Sequence, residues 1–196
     1  MEWNRVVARD PWLRLDGRRL IENVNPKGAS SEEKTVRSDE EASMKTDLEK
    51  VRRLAKDLRK GYPRSPREKM GGYVIAARCA DKCRAFLLDM NGEYNYWPCS
   101  LASQWFAFTG ITPDQFKDVV ATGATDEELA QWIGKHSKIV DPDEVMKWNN
   151  RMRDTRLSDM SLQAQQYLEE YIPQFVPNHR PVYVWFDVYD LEEKRF

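Results

Sequence analysis

Apolar residues recur at helical spacing through most of the chain after Met44. Leu48, Val51, Leu54, Ala55 and Leu58 fall on one stripe of a helix from about Asp47 to Lys60, with Thr46 or Asp47 as its cap and Gly61 as its stop. Tyr62-Pro63-Arg64-Ser65-Pro66-Arg67 cannot continue it. Its two prolines lack N–H donors and push the residues before them toward extended geometry. The pattern resumes over Tyr73 to Asp89, a run free of Pro and Gly that Asn91-Gly92 terminates. Ile75, Ala76, Cys79, Ala80, Cys83, Phe86 and Leu87 share one face of that helix, and Arg78, Asp81, Lys82 and Asp89 share the other. Arg84 sits at the border, where its stem covers apolar surface and its head reaches a partner.

The rest of the chain also reads as helices. Leu101, Ala102, Trp105, Phe106 and Phe108 cover nearly all sides of a segment from Ser100 to Thr109, capped by Cys99 or Ser100, which predicts a buried helix. Thr112-Pro113 starts the next one, with Phe116, Val119 and Val120 as its stripe and Gly123 as its stop. Thr125 with Glu128 forms a capping box before Leu129, Trp132, Ile133 and His136. Asp141-Pro142 opens a helix that turns Val145, Trp148 and Met152 inward, with Arg151, Arg153 and Arg156 on a solvated side. Leu162, Gln165, Leu168, Tyr171 and Ile172 mark one more, which Pro173 is expected to end. Val182 to Val188 is rich in β-formers and fits two outcomes: a short pairing with Glu93–Trp97, or a short helix, the preferred reading. The expected fold class is therefore mainly α, a single compact multi-helix domain over residues 44–196 with at most a minor β pairing.

Residues 1–43 break the pattern. Trp3, Val6, Val7, Trp12, Leu13, Leu15, Leu20 and Ile21 follow no sustained period, and Asn25 to Ser43 has a linker composition. A flexible or loosely packed tail is expected there. The apolar runs fall far short of the ~20 residues a membrane helix needs, and no basic start leads into an apolar leader, so a cytoplasmic location and no membrane partner are expected. A net charge of −1 argues against a nucleic-acid partner. Its distribution is uneven: residues 44–84 carry thirteen Lys/Arg against five Asp/Glu, and residues 85–196 carry ten against eighteen. Two oppositely charged halves either attract each other within one domain or present a basic surface to an anionic partner.

Candidate chemistry gathers between Gly61 and Pro98. Arg64, Arg67, Arg78, Asp81, Lys82, Arg84, Glu93 and Tyr94 are the candidate ligand-binding residues. Planar guanidinium forks suit a carboxylate or phosphate, so a small anionic molecule is the ligand class these residues would take. Asp81 and Glu93 would supply a general base and Tyr94 a donor if they line one pocket. No phosphate loop, dinucleotide fingerprint or HExxH motif is present, so no reaction is named, whether the site is catalytic stays open, and no cofactor is expected. The alternative is a non-enzymatic interaction or structural module in which the same groups form a salt-bridge network. Cys79 and Cys83 lie one turn apart on the apolar face and read as core residues. With only Cys99, His136 and His179 to add, and no ligand spacing among them, a metal site is not expected. A nucleophilic Cys99 is a lesser reading that would need a base from elsewhere. Seven scattered tryptophans at helical core positions read as packing.

Several motifs recur in the order of a known family. Asp57-Leu58-Arg59, Pro63-Arg64-Ser65-Pro66, Ala77-Arg78-Cys79-Ala80-Asp81-Lys82-Cys83-Arg84, Gly92-Glu93-Tyr94, Phe108-Thr109-Gly110-Ile111 and Ala121-Thr122-Gly123-Ala124-Thr125-Asp126-Glu127-Glu128 resemble the bacterial family known as domain of unknown function 5069. The resemblance covers the chain from roughly Asp47 onward. It implies a small cytoplasmic bacterial protein of helical type and brings no activity with it.

Overall fold

The computed structural model describes residues 45–196, so the expected tail lies outside the described residues. Eight α-helices follow one another: α1 Leu48–Leu54, α2 Ala76–Phe86, α3 Ser100–Thr109, α4 Pro113–Ala121, α5 Asp126–His136, α6 Pro142–Arg153, α7 Leu162–Phe175 and α8 Trp185–Glu192. Among the described residues the only β pairing is two isolated bridges, Met70 with Tyr73 and Arg156 with Val184. Glu93–Trp97 therefore pairs with neither, and the C-terminal stretch takes the helical option.

Local chemistry sets the helix ends. Thr112 and Thr125 each accept from the third amide of the helix they start, and Gln115 and Glu128 return the bond. Asp141 accepts from the Asp143 and Glu144 amides, and Pro142 occupies the first turn. Gly110 closes α3 in the left-handed region at φ 72°.

Four boundaries differ from the periodic pattern, one of them the end of α2 at Phe86 rather than Asp89, which turns at φ 54°. α1 stops at Leu54 rather than reaching Lys60, because Asp57 accepts from both the backbone and the guanidinium of Arg59 and draws the chain into a turn. Leu58 is still buried, with its amide bonded to the Met90 carbonyl at 2.9 Å. α2 starts at Ala76 rather than Tyr73. Gly71 and Gly72 take positive φ, and Ile75 at φ 72° turns the chain into the helix with its amide on the Pro66 carbonyl. A β-branched residue in that region is a steric outlier, and here it is 1% exposed and packed in the core. α7 passes through Pro173 to Phe175. The carbonyl that Pro173 orphans belongs to exposed Glu169, where water can bond it, and Gln174 Nε2 donates to the Glu170 carbonyl at 2.7 Å.

One apolar core joins these helices. α3 lines it with Trp105 at 0% exposure and with Leu101, Ala102 and Phe106 buried beside it. Phe116 of α4 meets the Trp105 ring edge-on at 5.0 Å, and Trp148 of α6 stacks on Phe108 at 4.7 Å. Asn149 is the polar pin of this core. It accepts from the Val74 amide and donates to the Gly72 carbonyl, which fixes the turn before α2. Gly92 makes a close approach on the far side of α2. A Cβ there would lie 2.9 Å from the Leu58 carbonyl oxygen, and its φ is +55°.

The pattern places α2 between two very different surfaces. Its apolar face enters the core from Ile75 to Cys83, whereas Phe86, expected on that face, lies at its exposed end. Its polar face is buried too: Arg78, Asp81, Lys82 and Arg84 are each 5% exposed or less. The loop after α1 and helix α8 cover that face, and the ion pairs beneath them form the candidate site.

Candidate functional site

The charged residues of α2 do not pair with each other. Arg78 and Asp81, neighbours by spacing, each turn to distant segments. Asp81 accepts from the Arg64 amide at 2.8 Å and from Arg64 Nη2 at 2.7 Å, and Lys56 Nζ approaches it at 3.1 Å. Arg64 spans onward to Asp126 at the start of α5, Nη1 to Oδ2 at 2.5 Å. Arg84 reaches the other oxygen of Asp126 at 2.7 Å and donates to the Ala124 carbonyl. The prolines around Arg64 keep its segment extended, so its amide and its guanidinium both face Asp81.

A second set of pairs runs through the C-terminal helix. Arg78 bonds Glu193 with both terminal nitrogens, at 2.9 and 2.6 Å, and donates to the Arg64 carbonyl. Its guanidinium lies over the rings of Tyr94 and Tyr189, at 5.6 and 5.1 Å from their centroids. Arg195 shares Glu193 at 2.6 Å, donates to the Pro63 carbonyl and approaches Asp190 at 3.2 Å. Arg67 holds the other oxygen of Asp190 at 3.0 Å and also Asp187 at 2.5 Å. Asp187 in turn accepts from the Tyr183 and Val184 amides at the start of α8. The chain of contacts is continuous from Arg84 to Arg67.

Two candidate residues stand apart from these pairs. Glu93 is exposed and takes no part in the ion pairs among the described residues. Lys82 is 5% exposed, and its Nζ donates to Cys99 Sγ at 3.0 Å. No carboxylate lies within salt-bridge distance of Lys82 among the described residues. Of the eight sequence candidates, the structure thus joins Arg64, Arg67, Arg78, Asp81 and Arg84 in one network, sets Tyr94 against Arg78, and leaves Lys82 and Glu93 outside it. The pattern of α2 did not reveal Lys56, Asp126, Asp187, Asp190, Glu193 and Arg195 as the partners. The acidic surplus after residue 84 is the one signal of the four carboxylates among them, and it carries no address.

Burial and pairing compete at these groups. At Asp126 burial alone would raise the carboxyl, yet the bonds from Arg64 and Arg84 outweigh it and hold its pKa below the ordinary carboxylate range. A depressed carboxyl contributes stability that is present above the unfolded value, about 4, and is lost as pH falls through the folded value. Glu192 has the opposite sign. Burial beside Tyr171 raises it, despite the Tyr171 hydroxyl that donates to it at 2.6 Å. Its contribution is present below the unfolded value and fades as pH rises through the folded one. Asp126→Asn is therefore expected to flatten the loss of stability on acidification below about pH 4. Denaturant midpoints measured from pH 2 to 7 check this, and an unchanged acid limb would contradict the assigned pairing.

Among the described residues, no three His, Cys, Asp or Glu side chains converge to hold a metal ion, and no helix is long and apolar enough to cross a membrane. A family model described as a domain of unknown function, DUF5069, matches residues 60–195. α1 precedes that match, although its cap amide, Asp47 N, bonds the Ala121 carbonyl of α4 at 2.8 Å. No curated protein matches the chain.

Proposed function

The chain belongs to the DUF5069 family, and we propose that its fold is a non-enzymatic interaction module in which the charged cluster is a structural clamp. One observation carries this reading. Each arginine of the cluster, Arg64, Arg67, Arg78 and Arg84, already holds a carboxylate of its own chain. An incoming anion would have to displace Asp81, Asp126, Asp190 or Glu193 and leave a charge unpaired, which costs several kcal/mol in a buried setting. Exposed aromatics supply a surface for contact: Phe86 and Trp97 are 46% and 44% exposed on the rim of the Tyr96–Phe106 cluster. The three free cysteines fit a reducing compartment, which supports a cytoplasmic location, and the resemblance of the motifs supports a bacterial one.

A small anionic ligand is the second reading, and Lys82 is what favours it, as the one cluster cation without a carboxylate among the described residues. Thermal unfolding with inorganic phosphate, sulfate and citrate separates the two. The clamp reading expects wild type and Lys82→Met to respond in parallel as salt is added. A ligand at 100 times its Kd adds about 2.7 kcal/mol, so a rise of several degrees that Lys82→Met abolishes would sink the clamp reading in favour of the ligand site.

A further inference from the structure

The cysteines divide into two kinds. Cys79 and Cys83 are buried in the core, where burial holds the Cys79 thiol well above its ordinary value and pushes Cys83 up to about 12. Cys99 is partly exposed and sits at the N-cap of α3, a helix of ten residues. Lys82 Nζ lies 3.0 Å from its sulfur. An ammonium has three donors, and Lys82 is 5% exposed with Cys99 Sγ as its acceptor among the described residues. Its charge is thus buried, unmatched by a carboxylate and aimed at one atom. A neutral thiol leaves that ammonium poorly compensated, whereas a thiolate matches it.

We propose that Cys99 is a thiolate nucleophile that reacts with small hydroperoxides, with Lys82 as its charge partner. The proposal does not depend on the clamp, since neither residue joins the ion pairs that close it. The groups that face the sulfur are Lys82 and Arg78 on α2, the thiol of Cys79, and the Ala102 amide in the first turn of α3. Burial raises the Cys99 thiol, but Lys82, the Ala102 amide and Arg78 together bring it below its ordinary value. The sulfur attacks one peroxide oxygen. The S–O bond forms as the O–O bond breaks, and sulfur gives up the two electrons that the peroxide gains. The departing oxygen takes a proton from the Lys82 ammonium and leaves as water or an alcohol. Cys99 becomes a sulfenic acid, and solvent returns the proton to the Lys82 amine. A partly covered sulfur beside a buried ammonium favours a small oxidant whose leaving atom is an oxygen.

The test uses the full chain. Iodoacetamide alkylation of Cys99 across pH, followed by peptide mass, is expected to show a half-point below the ~8.5 of a free cysteine. One equivalent of hydrogen peroxide with dimedone should label Cys99 while Cys79 and Cys83 stay unmodified. Lys82→Met should raise the half-point and slow the reaction at pH 7, about tenfold for every whole pH step by which the half-point rises, and Lys82→Arg should restore most of the rate. If Lys82→Met does not fold, the wild-type profile and the Lys82→Arg rate decide the matter. A Cys99 half-point at or above 8.5, early alkylation without any dimedone adduct, or a folded Lys82→Met that reacts at the wild-type rate would each overturn the proposal.

Discussion

Arg78→Ala is expected to remove about 3 kcal/mol of stability, a figure at the lower end of what breaking a buried ion pair costs. Arg78 and Glu193 are both 3% exposed, and the guanidinium contributes two bonds to that carboxylate. Alanine would leave Glu193 dependent on Arg195 alone and deprive the Arg64 carbonyl of its donor. It would also strip the cation from between Tyr94 and Tyr189. In a domain of this size the loss corresponds to a fall in Tm of about 6–12 °C. Urea unfolding followed by Trp fluorescence measures it. Replacing both partners, Arg78→Met with Glu193→Gln, should cost less than Arg78→Ala alone, because no buried charge is then orphaned. A loss below about 1 kcal/mol would place the pair in the range of solvated surface bridges and would remove the clamp from the account.

Phe116→Ala should cost about 3–5 kcal/mol for a different reason, the cavity it leaves. Phe116 is fully buried, and its ring touches Trp105, Phe106 and Trp132 at 5.0, 6.2 and 6.3 Å between centroids. Those neighbours are stiff, so the space cannot collapse cheaply. Phe116→Leu should recover most of the loss, since it restores volume without the edge-on contacts. Calorimetry on the two variants separates the terms. Equal destabilisation by Ala and Leu would show that ring geometry, rather than filled volume, holds α3 and α4 together.

These two residues also mark how far the sequence could be read. Phe116 was legible because its partners, Val119 and Val120, lie on its own helix, and Thr112-Pro113 announced where that helix starts. The same holds for α3, α5 and α6, whose caps and stripes are local. The end of α1 was less legible, because a side chain, Asp57, took the backbone bonds that a stripe of apolar residues implied. The path through Pro173 depended on which carbonyls face water, a property of the assembled fold. Arg78 was visible as a candidate, but not as a buried one. Helical spacing gives α2 a polar face and cannot say that another helix will close over it. Its partner Glu193 lies 115 residues away, beyond any local rule of spacing. Cys99 is legible in the sequence as a cap with a thiol, whereas its partner Lys82 belongs by helical spacing to the charged face, and only the fold brings the two together.

The closure of α2 by α8 also orders events during synthesis. Arg67 and Arg78 find their carboxylates 115 to 123 residues further along the chain. At about 5–20 residues per second, a ribosome needs on the order of 6–25 s to make that stretch. During that interval α2 can bury its apolar face against α3 and α4 and Arg84 can pair with Asp126, while Arg67 and Arg78 still lack their carboxylates. The last of the described helices is thus the one that dries the Arg78 side of the site, and long-range pairing of this kind slows folding relative to the local helices. Until α8 docks, Asp81 and Asp126 can receive Arg64, and Arg78 can reach the Arg64 carbonyl and the Tyr94 ring, but it has no carboxylate to meet its charge.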